Sequence, residues 1–186
     1  MIAAAILYST FSAAALLWMR GREPGEIWRR LGHSGGAGGW LAGVAAGGAI
    51  GLAVVAATAA LGLGFGWART LERRFAAVLG RLTAVEILAL AVASALGEEL
   101  LFRGALQPAL GWAATGLLFG AVHVPVGRDL WPWPLFAAAM GFLFGAEEAW
   151  TGTLAAPMAT HAVVNGLNLW RISSRAGLPG EPPSTG

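Results

Sequence analysis

The sequence predicts an all-α protein, a polytopic membrane bundle of about six transmembrane helices. Only 12% of its 186 residues are charged and 56% are hydrophobic, whereas about a quarter of the residues of a soluble domain are charged. The mean hydropathy is +0.65. Long uncharged runs recur along the chain, and about 20 apolar residues suffice for a helix to cross a bilayer. Eight of the nine tryptophans lie near the ends of these runs, as in an aromatic belt.

Six spans are predicted along the chain, at 2–19, 38–66, 82–104, 110–127, 132–146 and 152–170. The first has Arg20 and Arg22 after it and no basic residue before it, so we expect a retained span rather than a cleaved signal peptide. The second is long and rich in Gly and Ala, which favours one tilted helix that packs closely against its neighbours. Segment 71–81 is basic and amphipathic and is expected to lie along the membrane surface.

We expect a single integral-membrane domain at 1–172, with the chemical motifs in 83–170, and a disordered tail at 173–186. The expected location is the cell membrane, with the lipid bilayer as surroundings. The net charge of +2 is small and the basic residues are scattered, so no nucleic-acid partner is expected. The chain has no cysteine, which excludes disulfides and thiol chemistry.

The third predicted span contains the stretch GEELLFRGAL, with two glutamates and an arginine. Charges inside a membrane span are expensive and usually functional. Glu99 and Arg103 are four residues apart, so they share a helix face and are expected to pair. Glu98 points about 100° away from Glu99 and lacks that partner. One glutamate is therefore expected to be structural and the other chemical.

Two later spans each contain a histidine with a companion one helical turn away. His123 ends the stretch FGAVH, which begins at Phe119, and His161 begins the stretch HAVVN, which ends at Asn165. In each pair, both residues lie on the same helix face.

The depth of these residues in the membrane follows from the turns predicted at 108–111 and 151–152. At 1.5 Å of rise per residue, Glu98 and His161 lie roughly 15 Å from these turns and His123 lies ~18 Å away. Three polar side chains on three helices are thus expected to meet near the middle of the bilayer.

Together these groups suit the hydrolysis of a peptide bond. A carboxylate can take a proton from water, and a histidine can share or relay that proton. A second histidine and an amide can donate hydrogen bonds to the oxyanion of a tetrahedral intermediate. Each group also has a structural explanation, as an ion pair or as a hydrogen bond between helices.

The three motifs EELLFR, FGAVH and HAVVN fit the patterns Glu-Glu-x-x-x-Arg, Phe-x-x-x-His and His-x-x-x-Asn, in that order and on separate predicted helices. In this respect the chain resembles the CAAX protease and bacteriocin-processing family, the intramembrane glutamic endopeptidases related to the Ras-converting enzyme. The resemblance covers about residues 83–170.

The resemblance implies that Glu98 is the general base that activates water, assisted by His123. It implies that His161 and Asn165 form the oxyanion site. The three residues that would support this site are Glu99, Arg103 and Phe119. No metal and no cofactor would be needed, and the substrate would be a membrane-associated protein or peptide.

One departure from the family pattern is the stretch AEEAW before the sixth span, where members often have an aromatic and basic segment. With this departure, the sequence does not distinguish between three classes of substrate: a prenylated CAAX protein, a peptide leader and a C-terminal sorting tail. Its glutamates, Glu147 and Glu148, follow the fifth predicted span and are expected at the membrane interface.

Two alternatives remain at this point. Glu98, His123 and His161 form a legitimate set of zinc ligands, so a zinc-dependent intramembrane metalloprotease is possible, although the chain has no HExxH motif. The chain could also be a non-catalytic immunity or scaffold protein of the membrane. A transporter is disfavoured because the spans show no internal repeat.

Overall fold

The computed structural model describes residues 2–20, 36–124 and 130–176, and within these ranges the chain forms helices and short connections without strands. Seven helices follow one another: α1 Ile2–Arg20, α2 Gly36–Gly64, α3 Gly66–Leu79, α4 Ala84–Glu99, α5 Trp112–Ala121, α6 Pro132–Thr151 and α7 Ala155–Ser173. Helix α4 continues directly into a π-helical segment, Leu100–Leu106, and a last α-helical turn, Gln107–Leu110. The predicted all-helical membrane bundle is confirmed.

Two of the described helices are long and apolar enough to cross a membrane, Ile2–Arg20 and Ala37–Gly64. A third candidate is the pair Gly66–Leu79 and Ala84–Leu110, whose parts meet at an angle of 108°. The second predicted span is one helix, as expected. Helix α5 has 10 residues, which is too short to cross a bilayer alone. The count of six spans therefore stays a prediction.

Helix α5 ends at Ala121, earlier than the predicted end of the fourth span at residue 127. Pro125 explains the early end, because proline has no N–H to donate to the carbonyl four residues before it and disfavours helical geometry at the preceding residue. His123 consequently lies in the turn after the helix, where its N–H donates to the Gly120 carbonyl at 3.1 Å. Residues 125–129 lie outside the described part of the chain.

Helices α2 and α7 pack closely along a row of glycines spaced four residues apart, Gly43, Gly47 and Gly51. A Cβ atom at Gly47 would overlap the backbone carbonyl of Ala156. Farther along, Thr58 donates to the Asn168 side chain at 3.1 Å, so the two helices run in the same direction. Small residues at such a seam allow close packing where lipid provides no hydrophobic driving force.

The start of α4 is fixed by a capping box between Thr83 and Glu86. The Glu86 carboxylate accepts from the Thr83 N–H at 2.9 Å, and the Thr83 hydroxyl accepts from the Glu86 N–H at 3.3 Å. Two backbone donors at the helix start are satisfied in this way. This capping sets where α4 begins and, through the helical rise, where its later polar residues lie.

The π-helical segment departs from the regular helix expected for residues 82–104. At its end, the Gln107 N–H donates to the Phe102 carbonyl, five residues back. Pro108 follows; it cannot donate, and its ring would clash with the carbonyl of Gly104 in a regular α-helix. We attribute the widened segment to this proline. Such segments are frequent at functional sites, and this one contains Arg103.

Helix α7 extends to Ser173, the first residue of the predicted tail. The buried Ser173 hydroxyl accepts from the Leu82 N–H at 2.7 Å, and Arg171 pairs with Glu72 of α3 at 2.9 Å. Arg175 contacts the same Glu72 carboxylate. These contacts link α3 and the connection after it to the end of α7 and the turn that follows. The remaining predicted tail, 177–186, lies outside the described residues.

Candidate active site

Glu98, His123 and His161 converge from three parts of the bundle. The Glu98 Oε2 atom lies 3.8 Å from His123 Nε2 and 3.9 Å from His161 Nε2. Both distances exceed the 2.7–3.2 Å of a direct hydrogen bond. They suit a single water molecule that bridges the carboxylate and a ring, which is an accepted geometry for proton transfer.

The site is buried to different degrees in its three members. The side chains of Glu98 and His161 are 8% and 5% exposed, whereas that of His123 is 22% exposed. Within the described ranges, Glu98 Oε2 has no direct hydrogen-bond partner. A reactant therefore approaches the carboxylate most easily on the His123 side.

The His123 ring is oriented by the backbone of α5, the helix that precedes it. Its Nδ1 lies 2.6 Å from the Phe119 carbonyl oxygen, which can only accept, so Nδ1 carries the hydrogen. In the neutral ring, Nε2 then presents a lone pair towards Glu98. The rings of Phe119 and Trp133 pack against the imidazole, with centroids 4.6 and 5.8 Å away. His123 is thus arranged to accept a proton at Nε2.

The His161 ring is oriented by the second glutamate. Its Nδ1 lies 2.8 Å from Glu99 Oε1, and its ring stacks on Phe144 at a centroid distance of 4.8 Å. An ionised carboxylate only accepts, so Nδ1 carries a hydrogen. Nε2, which faces Glu98, then bears a hydrogen only when the ring is an imidazolium. Glu99 is placed to stabilise that positive charge.

Arg103 completes this network from the π-helical segment. Its Nη1 donates to Glu99 Oε1 at 3.2 Å and its Nη2 donates to the Gly141 carbonyl at 2.8 Å. Both charged side chains are fully buried. The guanidinium carbon lies 4.5 Å from the Phe119 ring centroid and 5.1 Å from that of Phe144, which are cation–π distances. Glu99 Oε1 thus connects the guanidinium with His161.

Asn165 lies one turn beyond His161 and contacts α4 at a different point. Its Nδ2 donates to the hydroxyl of Ser94 at 2.9 Å, and Ser94 in turn donates to the Ala91 carbonyl at 3.2 Å. Ser94 is buried and lies one turn before Glu98. An asparagine amide has two hydrogens, so one is held by Ser94 and the second can be donated elsewhere.

The contacts made by Ser94, Glu147 and Thr160 were not predicted from the sequence. The expected depth of Glu147 at the membrane interface stays a prediction, but its side chain is buried within the bundle: it is 3% exposed, and the Thr160 hydroxyl lies 2.6 Å from its Oε1 atom. Helix α6 continues to Thr151, past the predicted end at 146, and so brings Glu147 against α7. The pairing has no local sequence signal, because the partners lie on different helices.

The donor types at the site resemble those of a zinc centre. Within the described ranges, however, no group of three His, Cys, Asp or Glu side chains has the spacing needed to hold a metal ion. The hydrogen bond from His161 Nδ1 to Glu99 is also seen at metal-bound histidines, because a carboxylate there fixes the tautomer. The spacing of the side chains therefore argues against a zinc site, whereas the orientation of His161 by Glu99 is compatible with one.

Residues 79–167 match the family model for "Type II CAAX prenyl endopeptidase Rce1-like" proteins. The match contains the three motifs and confirms the resemblance found from them. The "Uncharacterized protein YpbD" of Bacillus subtilis (strain 168) is 40% identical over 81 residues, which are 42% of this chain and 41% of that protein. The chain therefore matches less than half the length of this relative. No solved structure matches the chain.

Proposed function

We propose that this chain, whose residues 79–167 match the Rce1-like prenyl endopeptidases, is an intramembrane glutamic endopeptidase of the cell membrane. Its substrate would be a membrane-associated protein or peptide. The observation that supports this most strongly is the Glu98 carboxylate, which lies 3.8 and 3.9 Å from two histidine Nε2 atoms inside an apolar bundle.

In the proposed reaction, Glu98 takes a proton from a water molecule while the water oxygen attacks the scissile carbonyl carbon. His123 Nε2, with its lone pair directed to the carboxylate, accepts that proton and passes it to the nitrogen of the leaving amine. The carbon–nitrogen bond then breaks, and the products are a carboxylic acid and an amine. One proton of the water thus ends on the amine, and the other stays on the hydroxyl group of the acid.

The oxyanion of the tetrahedral intermediate would be stabilised by His161 and Asn165. As an imidazolium, His161 donates from Nε2, while Nδ1 stays bound to Glu99. Asn165 donates the amide hydrogen that Ser94 does not use. Two donors fixed before the reaction lower the barrier because they need no reorganisation when the negative charge develops.

The test is cleavage by the purified protein in lipid vesicles, with a fluorogenic prenylated CAAX peptide and its unprenylated form as probes. Glu98→Gln keeps the shape of the side chain and removes the base, so we expect no turnover above background. Glu86→Gln is the matched control, because it lies on the same helix and glutamine also forms a capping box. Cleavage by Glu98→Gln at the wild-type rate would refute the assignment.

The orientation of His161 by Glu99 also favours a second candidate, the zinc-dependent protease. Exhaustive chelation followed by elemental analysis separates the two. The glutamic mechanism predicts full activity in protein with no bound metal. Loss of activity on chelation and its return with zinc would instead establish the metalloprotease.

A further inference from the structure

A cavity of about 670 Å³ lies among the ends of α2 and α7, the start of α6 and helix α3. Its volume falls within the roughly 300–1,000 Å³ of sites that bind small molecules. The side chains that line it are mostly aliphatic or aromatic, among them Leu71, Phe75, Phe136 and Ile172. Glu98 and its partner residues do not line it, so the cavity is separate from the candidate active site.

One cationic side chain lines this apolar cavity. Arg171 of α7 pairs with Glu72 of α3 at 2.9 Å through its Nη2 atom, but within the described ranges its buried Nε atom has no hydrogen-bond partner. A buried donor without an acceptor is costly. Glu72 also contacts Arg175, so its single charge balances only one of the two arginines. The cavity therefore suits a ligand that combines an apolar body with an anionic group.

The residues around the cavity indicate that it opens at a membrane surface. Trp67 and Trp131 line it and are exposed, and tryptophan is enriched where a membrane meets water. Three further arginines of α3 are exposed and do not line the cavity: Arg69, Arg73 and Arg74. A helix with one apolar edge and one basic edge lies in the interface and attracts anionic lipids.

We infer that the cavity binds an anionic phospholipid of the bilayer: one acyl chain lies among the apolar side chains, and the phosphate accepts from Arg171. A guanidinium matches the geometry of phosphate oxygens, and basic pockets between membrane helices bind anionic headgroups in this way. A zwitterionic lipid has the same chains but brings a positive charge towards the arginines of α3. Such a lipid is therefore disfavoured.

Trp133 connects this cavity with the candidate active site. Its ring lines the cavity and packs edge-on against Phe75 of α3, with centroids 5.0 Å apart. The same ring contacts the imidazole of His123 at a centroid distance of 5.8 Å. An acyl chain that packs on Trp133 restricts the positions of this ring and, through it, of the imidazole. This consequence rests on the proposed function, in which His123 must be oriented to accept a proton.

Lipid binding is tested without any substrate. The purified chain is transferred from nanodiscs of phosphatidylglycerol and phosphatidylcholine into detergent and analysed by native mass spectrometry. We expect it to retain phosphatidylglycerol in preference to phosphatidylcholine. In Arg171→Gln the affinity for phosphatidylglycerol should fall roughly 10- to 100-fold, because a hydrogen bond between charged groups is lost. Glu72 keeps Arg175 as its partner in this variant, so its charge is not left alone.

Arg73→Gln is the matched control, because it removes the same charge from an exposed position of α3 that does not line the cavity. One basic residue near an anionic surface contributes only about fivefold. Leu71→Trp keeps every charge and fills part of the cavity, so it should also weaken retention. Equal losses in the two arginine variants, undiminished retention in Leu71→Trp, or equal retention of both lipids by the wild type would overturn the inference.

Failure of this inference and failure of the proposed function give different results. Selective retention of phosphatidylglycerol by a protein that cleaves no probe would refute the proposed function and leave the lipid site established. In an active protein, cleavage should be slower in phosphatidylcholine alone than in the mixture, and Arg171→Gln should reduce this difference. Equal cleavage by the wild type in both lipid compositions would refute the link through Trp133.

Discussion

Replacement of Arg103 by methionine should destabilise the protein strongly. Arg103 and Glu99 are both 0% exposed, and their side-chain atoms meet at 3.2 Å. Methionine fills part of the arginine volume but leaves the Glu99 charge without its cation. The Gly141 carbonyl also loses its donor at 2.8 Å. Removal of one partner from a buried ion pair costs about 3–5 kcal/mol, a large part of the roughly 5–15 kcal/mol by which proteins are stable.

The double variant Glu99→Gln/Arg103→Met provides the comparison for this prediction. It removes both charges, so no buried charge is left alone, and it should recover much of the stability lost in Arg103→Met. Thermal unfolding in detergent and the amount of protein in the membrane are measured for both variants. The double variant should still be inactive or nearly so, because His161 loses the carboxylate that supports its imidazolium.

Equal stability of Arg103→Met and the wild type would refute the reasoning, since it would mean that the Glu99 charge does not need the guanidinium. A double variant that is less stable than Arg103→Met would also refute the reasoning. In that case the contacts of Glu99 with His161, and not the charge balance with Arg103, would dominate the energy of this cluster.

Two further predictions concern the oxyanion site and the packing of α2. Asn165→Ala should lower kcat by about 10²–10³, the usual loss for one oxyanion donor, with little change in KM; in a zinc enzyme the same change would have little effect, because a neutral amide is a poor ligand of the metal. Gly47→Ala should lower the thermal stability, because its Cβ would overlap the Ala156 carbonyl, whereas Gly48→Ala meets nothing within 4 Å and should be neutral. Equal unfolding temperatures for the two glycine variants would contradict the close approach of α2 to α7.

The meeting of Glu98, His123 and His161 was predictable because it depends only on helical rise and on two turns. Both turns contain a glycine with positive φ, Gly111 at 84° and Gly152 at 66°. Such a conformation favours glycine and ends a helix there. With the ends of the helices fixed, the depth of each polar residue follows by counting.

Other features could not be predicted, because they depend on contacts between helices. The burial of Glu147 involves Thr160 of α7, and the close approach of α1 to α4, where Tyr8 meets Gly97, requires the missing Cβ of that glycine. Neither partner lies near the other in sequence, so no periodic pattern indicates the pairing. The π-helical segment has only Pro108 as a local signal, and a proline at that position is equally compatible with a simple helix end.

The presence of two adjacent glutamates, Glu98 and Glu99, is explained by the charges around them. The roughly 100° between neighbouring helical residues sends the two carboxylates in different directions. Glu99 lies against Arg103 and the His161 ring, and with an imidazolium the four groups Glu98, Glu99, Arg103 and His161 sum to zero charge. Glu98 is therefore not required to pair directly with the guanidinium. A carboxylate bound to an arginine would be a poor base, since the cation stabilises its ionised form. In the proposed reaction, this separation of the two roles would keep the site electrically neutral while Glu98 accepts a proton.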